Sequence, residues 1–243
     1  MIKLTLPPKP AELTAEKQAE LTARFKADPN AEVWKQSWIK DPLMTMTNDK
    51  CAYSEMKLGE EGKYAQIEHI HPKSIYKDEV VEWGNLIPSC NVCNIKKRAV
   101  DTKKHPIVNP LVDNPKDYFY ISNGRLNVKD KKNQKAIDTL TYCDLNNYDQ
   151  LRKKRVSIEE SLKKRIGEML RFYTTDKEYW SNQLLCLMKE CGRKAAYSAT
   201  KATLFLTSSD YTNLKQQLIN DSRWNEDFVA AEAELEFCAL PET

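Results

Sequence analysis

Between Cys51 and Lys97 the chain carries an acid beside a histidine (Glu68, His69), an asparagine (Asn85), and a Cys-x-x-Cys followed directly by a second asparagine (Cys90, Cys93, Asn94). A neutral imidazole near its ordinary pKa can take a proton from water at physiological pH. Carboxylate and amide oxygens suit a hard divalent cation. Thiols spaced as Cys-x-x-Cys suit zinc. Each piece also has a plainer reading. Glu-His is common at strand ends, and Trp83-Gly84-Asn85 fits a turn. Neighbours on a strand point to opposite faces, so Glu68 and His69 can serve one site only where the strand ends or at a groove edge. Pro72 is consistent with such an ending, because it cannot extend a central strand.

The joint order is specific: CAYS, IEHIHPKS, then WGNLIPSCNVCNIKK. It resembles the HNH endonuclease family, and the resemblance covers roughly a quarter of the chain. It implies an α+β fold, with a ββα-metal core, an N-terminal helical brace and a C-terminal helical bundle. It implies hydrolysis of phosphodiester bonds in nucleic acid, leaving 5′-phosphate and 3′-hydroxyl ends. By the same resemblance His69 is the general base. Glu68 and Asn94 hold a catalytic Mg²⁺ or Mn²⁺, and Asn85 supports the loop that orients His69. Lys73 and the Lys96-Lys97-Arg98 run are expected to contact phosphates of a bound strand. His71 could touch the phosphate, although a passive surface residue is the favoured reading.

Family members pin the core with zinc between two Cys-x-x-Cys knuckles. Here the second is intact, but the first reads Cys51-Ala-Tyr-Ser54. Either Cys51, Cys90 and Cys93 hold zinc with another fourth ligand, for which His105 is a candidate, or packing has replaced the site. HPIVNPLVDNPKDYF, the hairpin after it and LNNYDQLRKKR resemble a narrower group, the PtuB-like HNH proteins of retron and Septu-type antiphage systems. That likeness implies a toxic effector working with an ABC/SMC-like, PtuA-like ATPase, and with a retron reverse transcriptase and its msDNA. The alternative is a non-catalytic zinc-knuckle module or scaffold subunit of such a complex.

The elements around the motif must position it. Charged residues make up 30% of the 243 and hydrophobic ones 41%, a folded rather than disordered composition. Basic residues crowd the middle and acidic ones the end, although the net charge is only +3. No apolar run would span a bilayer and MIKLTLPPKP has no signal-peptide core, so a cytoplasmic location is expected. With an odd number of cysteines, seven, metal or free thiols are favoured over disulfides. Expected domains are a brace over 1–48, the nuclease region with its following hairpin over 49–130, and a partner-binding helical region over 131–243. Helices are expected over Thr14 to Ala27 and from Asn30, the latter carrying Trp34 and Trp38 on one face. Strand-like alternation runs from Tyr64 to Ile70, and Asn123-Gly124 signals a hairpin. Ala136, Ile137 and Leu140 mark one helix face, and Ile158, Leu162, Ile166 and Leu170 another. Further helices are expected over Lys177 to Cys191, Ala195 to Leu206, and Tyr211 to Cys238 with a break near Asp221.

Overall fold

The computed structural model describes residues 1–59 and 65–241, so Tyr64 lies outside the described residues. The chain divides into two compact units. The first takes in Met1, Lys3–Asn114 and Asp130–Leu145. The second takes in Ile2, Pro115–Lys129 and Asn146–Thr243.

In the first unit, α1 (Ala15–Ala27) starts where Thr14 Oγ1 accepts from the Lys17 amide, and it buries Leu21 and Phe25. The next helix does not start at Asn30. The Asp28 carboxylate accepts from the Asn30 amide, and the Asp28 carbonyl accepts from Ala31. This side-chain turn takes up the groups a cap would have used. Helix α2 therefore begins at Ser37 and runs to Thr47. Trp34, left in the turn, drops into the core edge-on to Phe25 instead of sharing a helix face with Trp38.

Strands β1 (Gln66–His69) and β2 (Leu86–Ser89) pair antiparallel, with His69 opposite Leu86. Helix α3 (Asn91–Lys97) follows at once and completes a ββα unit. Leu21, Phe25, Trp34, Ile39 and Leu43 share one apolar cluster with Ile67, Val80, Trp83 and Leu86, so the brace and the hairpin have a common core. Helix α4 (Gln134–Tyr142) closes the unit. It buries Ala136, Asp138 and Thr139 while Ile137 and Leu140 stay half-buried, a face rotated from the expected one. Thr139 Oγ1 accepts from the Val108 amide at 2.7 Å, and this polar anchor sets the rotation.

The second unit opens with the hairpin β3 (Phe119–Ser122) and β4 (Arg125–Val128). Asn123 and Gly124 turn it with φ of 50° and 68°, as a two-residue type I′ turn requires. Five longer helices follow among the described residues: α5 (Lys153–Phe172), α6 (Lys177–Lys189), α7 (Ser198–Thr207), α8 (Ser209–Asn220) and α9 (Glu226–Cys238). On α5 the buried face carries Leu162, Ile166 and Met169, while Ile158 and Leu170 are half-buried. Helix α9 buries Phe228, Ala231 and Leu235 in the bundle, packed on α6 and α7, and the Leu240 amide beyond it donates to Thr203 Oγ1 at 2.8 Å. Its apolar stripe is therefore self-packing. Each large apolar side chain is worth about 1.5–3 kcal/mol of burial, so trimming the chain from Asp221 would unfold the bundle and not merely remove a contact surface. No helix among the described residues is long and apolar enough to cross a membrane.

Candidate active site

Glu68 and His69 sit at the end of β1, each about 5% exposed. A cleft of about 550 Å³ is lined by the consecutive residues Ala65 to His69, by Trp34 and Lys73, and by Asn91 and Asn94. β1 pairs with β2 on one edge only, so side chains from both of its faces can reach a cleft along the other. That is how adjacent residues come to share one site. The brace adds Glu32, Lys35 and Lys40 to the wall.

The His69 ring lies edge-on to Trp34, with centroids 4.9 Å apart, and its Nε2 is 2.8 Å from the Val80 carbonyl. A carbonyl only accepts, so Nε2 carries the hydrogen and Nδ1 keeps its lone pair. Burial pushes the imidazole pKa down to about 4, with the Lys73 and Lys97 charges adding to the fall. At neutral pH the ring is uncharged and able to accept a proton.

Asn85 is buried and fastens the connection between the two strands. Its Oδ1 accepts from the His71 amide at 2.7 Å, and its Nδ2 donates to the His71 and Glu79 carbonyls at 3.1 Å each. Glu79 precedes Val80, so this bracket also sets the carbonyl that holds His69. Asn85 does not line the cleft itself. His71 closes the same loop through Nδ1, 2.7 Å from Glu79.

Lys97 departs most from expectation. It does not face a bound strand, because it is fully buried. Its Nζ donates to the His69 carbonyl at 2.8 Å and makes an ion pair with Glu68 Oε1 at 2.6 Å. On α3 it lies one turn beyond Asn94, and that turn carries it under β1 instead of outward. Burial pushes the Glu68 carboxyl pKa up, and Lys97 partly offsets the rise. Asn94 lines the cleft and its Nδ2 donates to Gln66 Oε1, which leaves the Asn94 amide oxygen for another partner. Lys73 lines the cleft too, with its ammonium 4.8 Å above the Trp34 ring. Lys96 and Arg98 are exposed on α3 and just past its end, outside the cleft lining.

Cys51, Cys90 and Cys93 come together, with sulfurs all within 4.8 Å of one another and all buried. Ser54 Oγ, where the family pattern has a fourth cysteine, lies 3.5 Å from Cys90 Sγ. Burial pushes the Cys51 thiol up, but hydrogen bonds from Cys90, Cys93 and Ser54 outweigh it and hold Cys51 well below the usual thiol range. Cys90 is pushed up to about 11, chiefly by its bond to Cys51. The cluster could hold a metal ion. His105 takes no part. It is exposed and packs on Tyr142. If the trio holds a structural ion, Cys90→Ser should release it and lower the melting temperature by several degrees. Elemental analysis of purified protein reads the metal, and a metal-free wild type would remove the premise.

The roles of Trp34, Val80 and Gln66 escape a sequence reading, since none carries a motif signal. Lys97 did carry one, the Asn94-x-x-Lys97 spacing, which puts both residues on one side of a helix.

Comparison with known proteins adds two findings. Residues 51–99 match the family model described as HNH endonuclease. Over 238 residues the chain is 36% identical to the Septu protein PtuB of Bacillus thuringiensis, covering 93% of this chain and 90% of that protein. The family match spans every cleft residue from Ala65 to Asn94, and the relatedness runs almost end to end, so this chain is an HNH endonuclease and belongs to the family of PtuB.

Proposed function

We propose that the chain hydrolyses phosphodiester bonds of DNA or RNA with a divalent metal, as the effector of a Septu-type or retron-associated antiphage system. The observation that carries the chemistry is the fixed tautomer of His69. Its Nε2 is committed to the Val80 carbonyl, and it stays neutral to low pH on a cleft shared with Glu68 and Asn94. His69 Nδ1 takes the proton of the attacking water. Trp34 and the Val80 carbonyl hold the ring against rotation. Lys97 holds the Glu68 carboxylate, and Lys73 meets a phosphate of the strand at the cleft wall.

The donor set fits a hard cation. Glu68 lines the cleft with its Oε1 turned to Lys97, and Asn94 has an amide oxygen to give. Mg²⁺ or Mn²⁺ held by these two residues would supply positive charge for the phosphorane-like transition state and the leaving oxygen. The sulfur trio suits zinc in a structural role. Kinship to PtuB supports a PtuA-like ATPase as the partner. Exposed aromatic side chains such as Phe172 and Tyr179 support the reading that the helical unit carries that contact.

The test is cleavage of duplex DNA, total RNA and transfer RNA, with and without the ATPase. Chelation should silence the wild type, and Mg²⁺ or Mn²⁺ should restore it. Glu68→Ala and Asn94→Ala should each lose most activity, and the double variant should be hardly worse than either single one, because both serve one ion. Multiplicative losses, or full activity in chelator, would reject the shared metal.

A further inference from the structure

A second groove lies wholly within the second unit, between the β3–β4 hairpin and helices α5 and α7. It encloses about 570 Å³, and Tyr120, Ser122, Arg125, Asn127, Arg152 and Thr207 are among its lining residues. That volume falls within the roughly 300–1,000 Å³ typical of ligand sites. None of its lining residues is acidic. Among the described residues neither Arg125 nor Arg152 has an ion-pair partner. Arg165 and Arg193 of the same unit are instead paired, with Glu190 at 2.8 Å and Glu234 at 2.6 Å.

The backbone that carries the hairpin side of the groove is anchored to α5 and to Asn146. The Gly124 amide donates to Glu159 Oε1 of α5 at 2.9 Å. The Asn146 side chain brackets Leu126, accepting from its amide at 2.9 Å and donating to its carbonyl at 2.8 Å. Gly124 has a φ of +68°, and a Cβ there would stand 2.7 Å from a Val156 methyl and 3.1 Å from the Arg152 carbonyl. The hairpin tip thus lies directly on the start of α5, a contact only glycine permits. Arg125 and Arg152 both line the groove, and neither is ion-paired among the described residues, so their guanidiniums are available to an anion.

We propose that this groove binds the sugar-phosphate backbone of a nucleic-acid strand, as a second contact outside the His69 cleft. The proposal rests on the nuclease assignment for the choice of strand. Guanidinium forks match phosphate oxygens, and Ser122, Asn127 and Thr207 offer hydrogen bonds to phosphate or sugar. Tyr120 offers a ring face on which a base can stack.

The experiment uses the full chain carrying His69→Gln, so that bound strand survives. Fluorescence anisotropy measures binding of a short labelled single strand, as DNA and as RNA, from roughly 50 to 200 mM salt. Adding Arg125→Gln and Arg152→Gln should weaken binding about tenfold or more. It should also flatten the salt dependence by a slope of about 1.4, for two phosphates at ~0.7 each. Melting temperature should be unchanged. The pair Lys131→Gln and Lys132→Gln, both exposed, removes the same charge and should do much less. Equal affinity and slope for the groove variant, or losses no greater than the control's, overturn the proposal. So does a variant that still binds the strand but no longer co-purifies with the ATPase, since the groove would then seat a protein. So does a free nucleoside triphosphate that occupies the groove while the strand stays bound. The active-site reading is judged separately, by cleavage with His69 intact. Cleavage with no groove dependence sinks only the groove, whereas strand binding through the groove without cleavage sinks only the site.

Discussion

Replacing His69 should reduce cleavage of a confirmed substrate by roughly a hundredfold or more, the usual worth of a general base. The choice of substitute matters. His69→Ala removes the donor to the Val80 carbonyl and opens a hole beside Trp34. It should therefore cost some stability as well, on the order of 1–3 kcal/mol for the orphaned carbonyl. His69→Gln can keep a donor near Nε2 while lacking a base, so it should fold like the wild type and still fail to cut. The pH profile gives an independent readout. Burial holds the His69 pKa near 4, so the acid limb of wild-type cleavage should lie well below the ordinary histidine value of 6.5. Stability follows the same shift. The unfolded chain takes up a proton on this ring below pH 6.5 and the folded one does not until about 4, so this residue's contribution falls as pH drops through that window. A His69→Gln enzyme within a few-fold of wild type would remove His69 from the chemistry.

The parts legible in the sequence were those set by local chemistry. Asn123-Gly124 reads as a hairpin because few residue pairs tolerate two positive φ angles, and the strands on either side pair as that turn dictates. Thr14 marks the start of α1 because a hydroxyl there can take an orphan amide. Asn85 as loop support comes from the family resemblance, the residues alone reading as a turn, and its amide does bond backbone on both sides of the loop. Cys90 and Cys93 pair by their spacing, Cys51 joins them only through the family resemblance, and the fold brings all three together. The parts that were not legible depend on what lies across the fold. Asp28 captures the Asn30 amide, moving the start of the second helix by about two turns and sending Trp34 to the His69 ring. Thr139 rotates α4 by bonding Val108. The stripe on α9 looks the same in sequence whether it meets a partner or its own bundle, and the packing onto α7 decides for the bundle. Lysines read as solvated by default, since burying an unpaired ammonium is costly. The Asn94-x-x-Lys97 spacing sets Lys97 on the Asn94 side of a helix, but it does not announce the carboxylate and carbonyl under β1.

That buried lysine gives the second large expected effect. Lys97→Met keeps the length and apolar stem of the side chain but strands Glu68 as a carboxylate without its cation, and leaves the His69 carbonyl without its donor. Breaking one side of a buried pair costs about 3–5 kcal/mol, on the order of 10 °C in melting temperature. The sign of the pH dependence then identifies the cause. Burial already raises the Glu68 pKa, and removing the ammonium raises it further. A carboxyl with a raised folded pKa contributes most below its unfolded value of 4.5, and the contribution is lost as pH rises through the folded pKa. The Lys97→Met defect should therefore shrink on acidification and be largest near neutrality. Adding Glu68→Gln removes the stranded charge and should return much of the lost stability, while cleavage stays absent because the proposed metal ligand is gone. A purely packing role for Lys97 predicts the opposite pattern: a defect that ignores pH and that Glu68→Gln cannot repair. Thermal melts of the two single variants and the double variant, run across the pH 5 to 8 range, separate these outcomes. The ion pair thus joins two duties in one side chain, holding the end of β1 to α3 and partly offsetting the burial of the Glu68 carboxyl at the edge of the cleft.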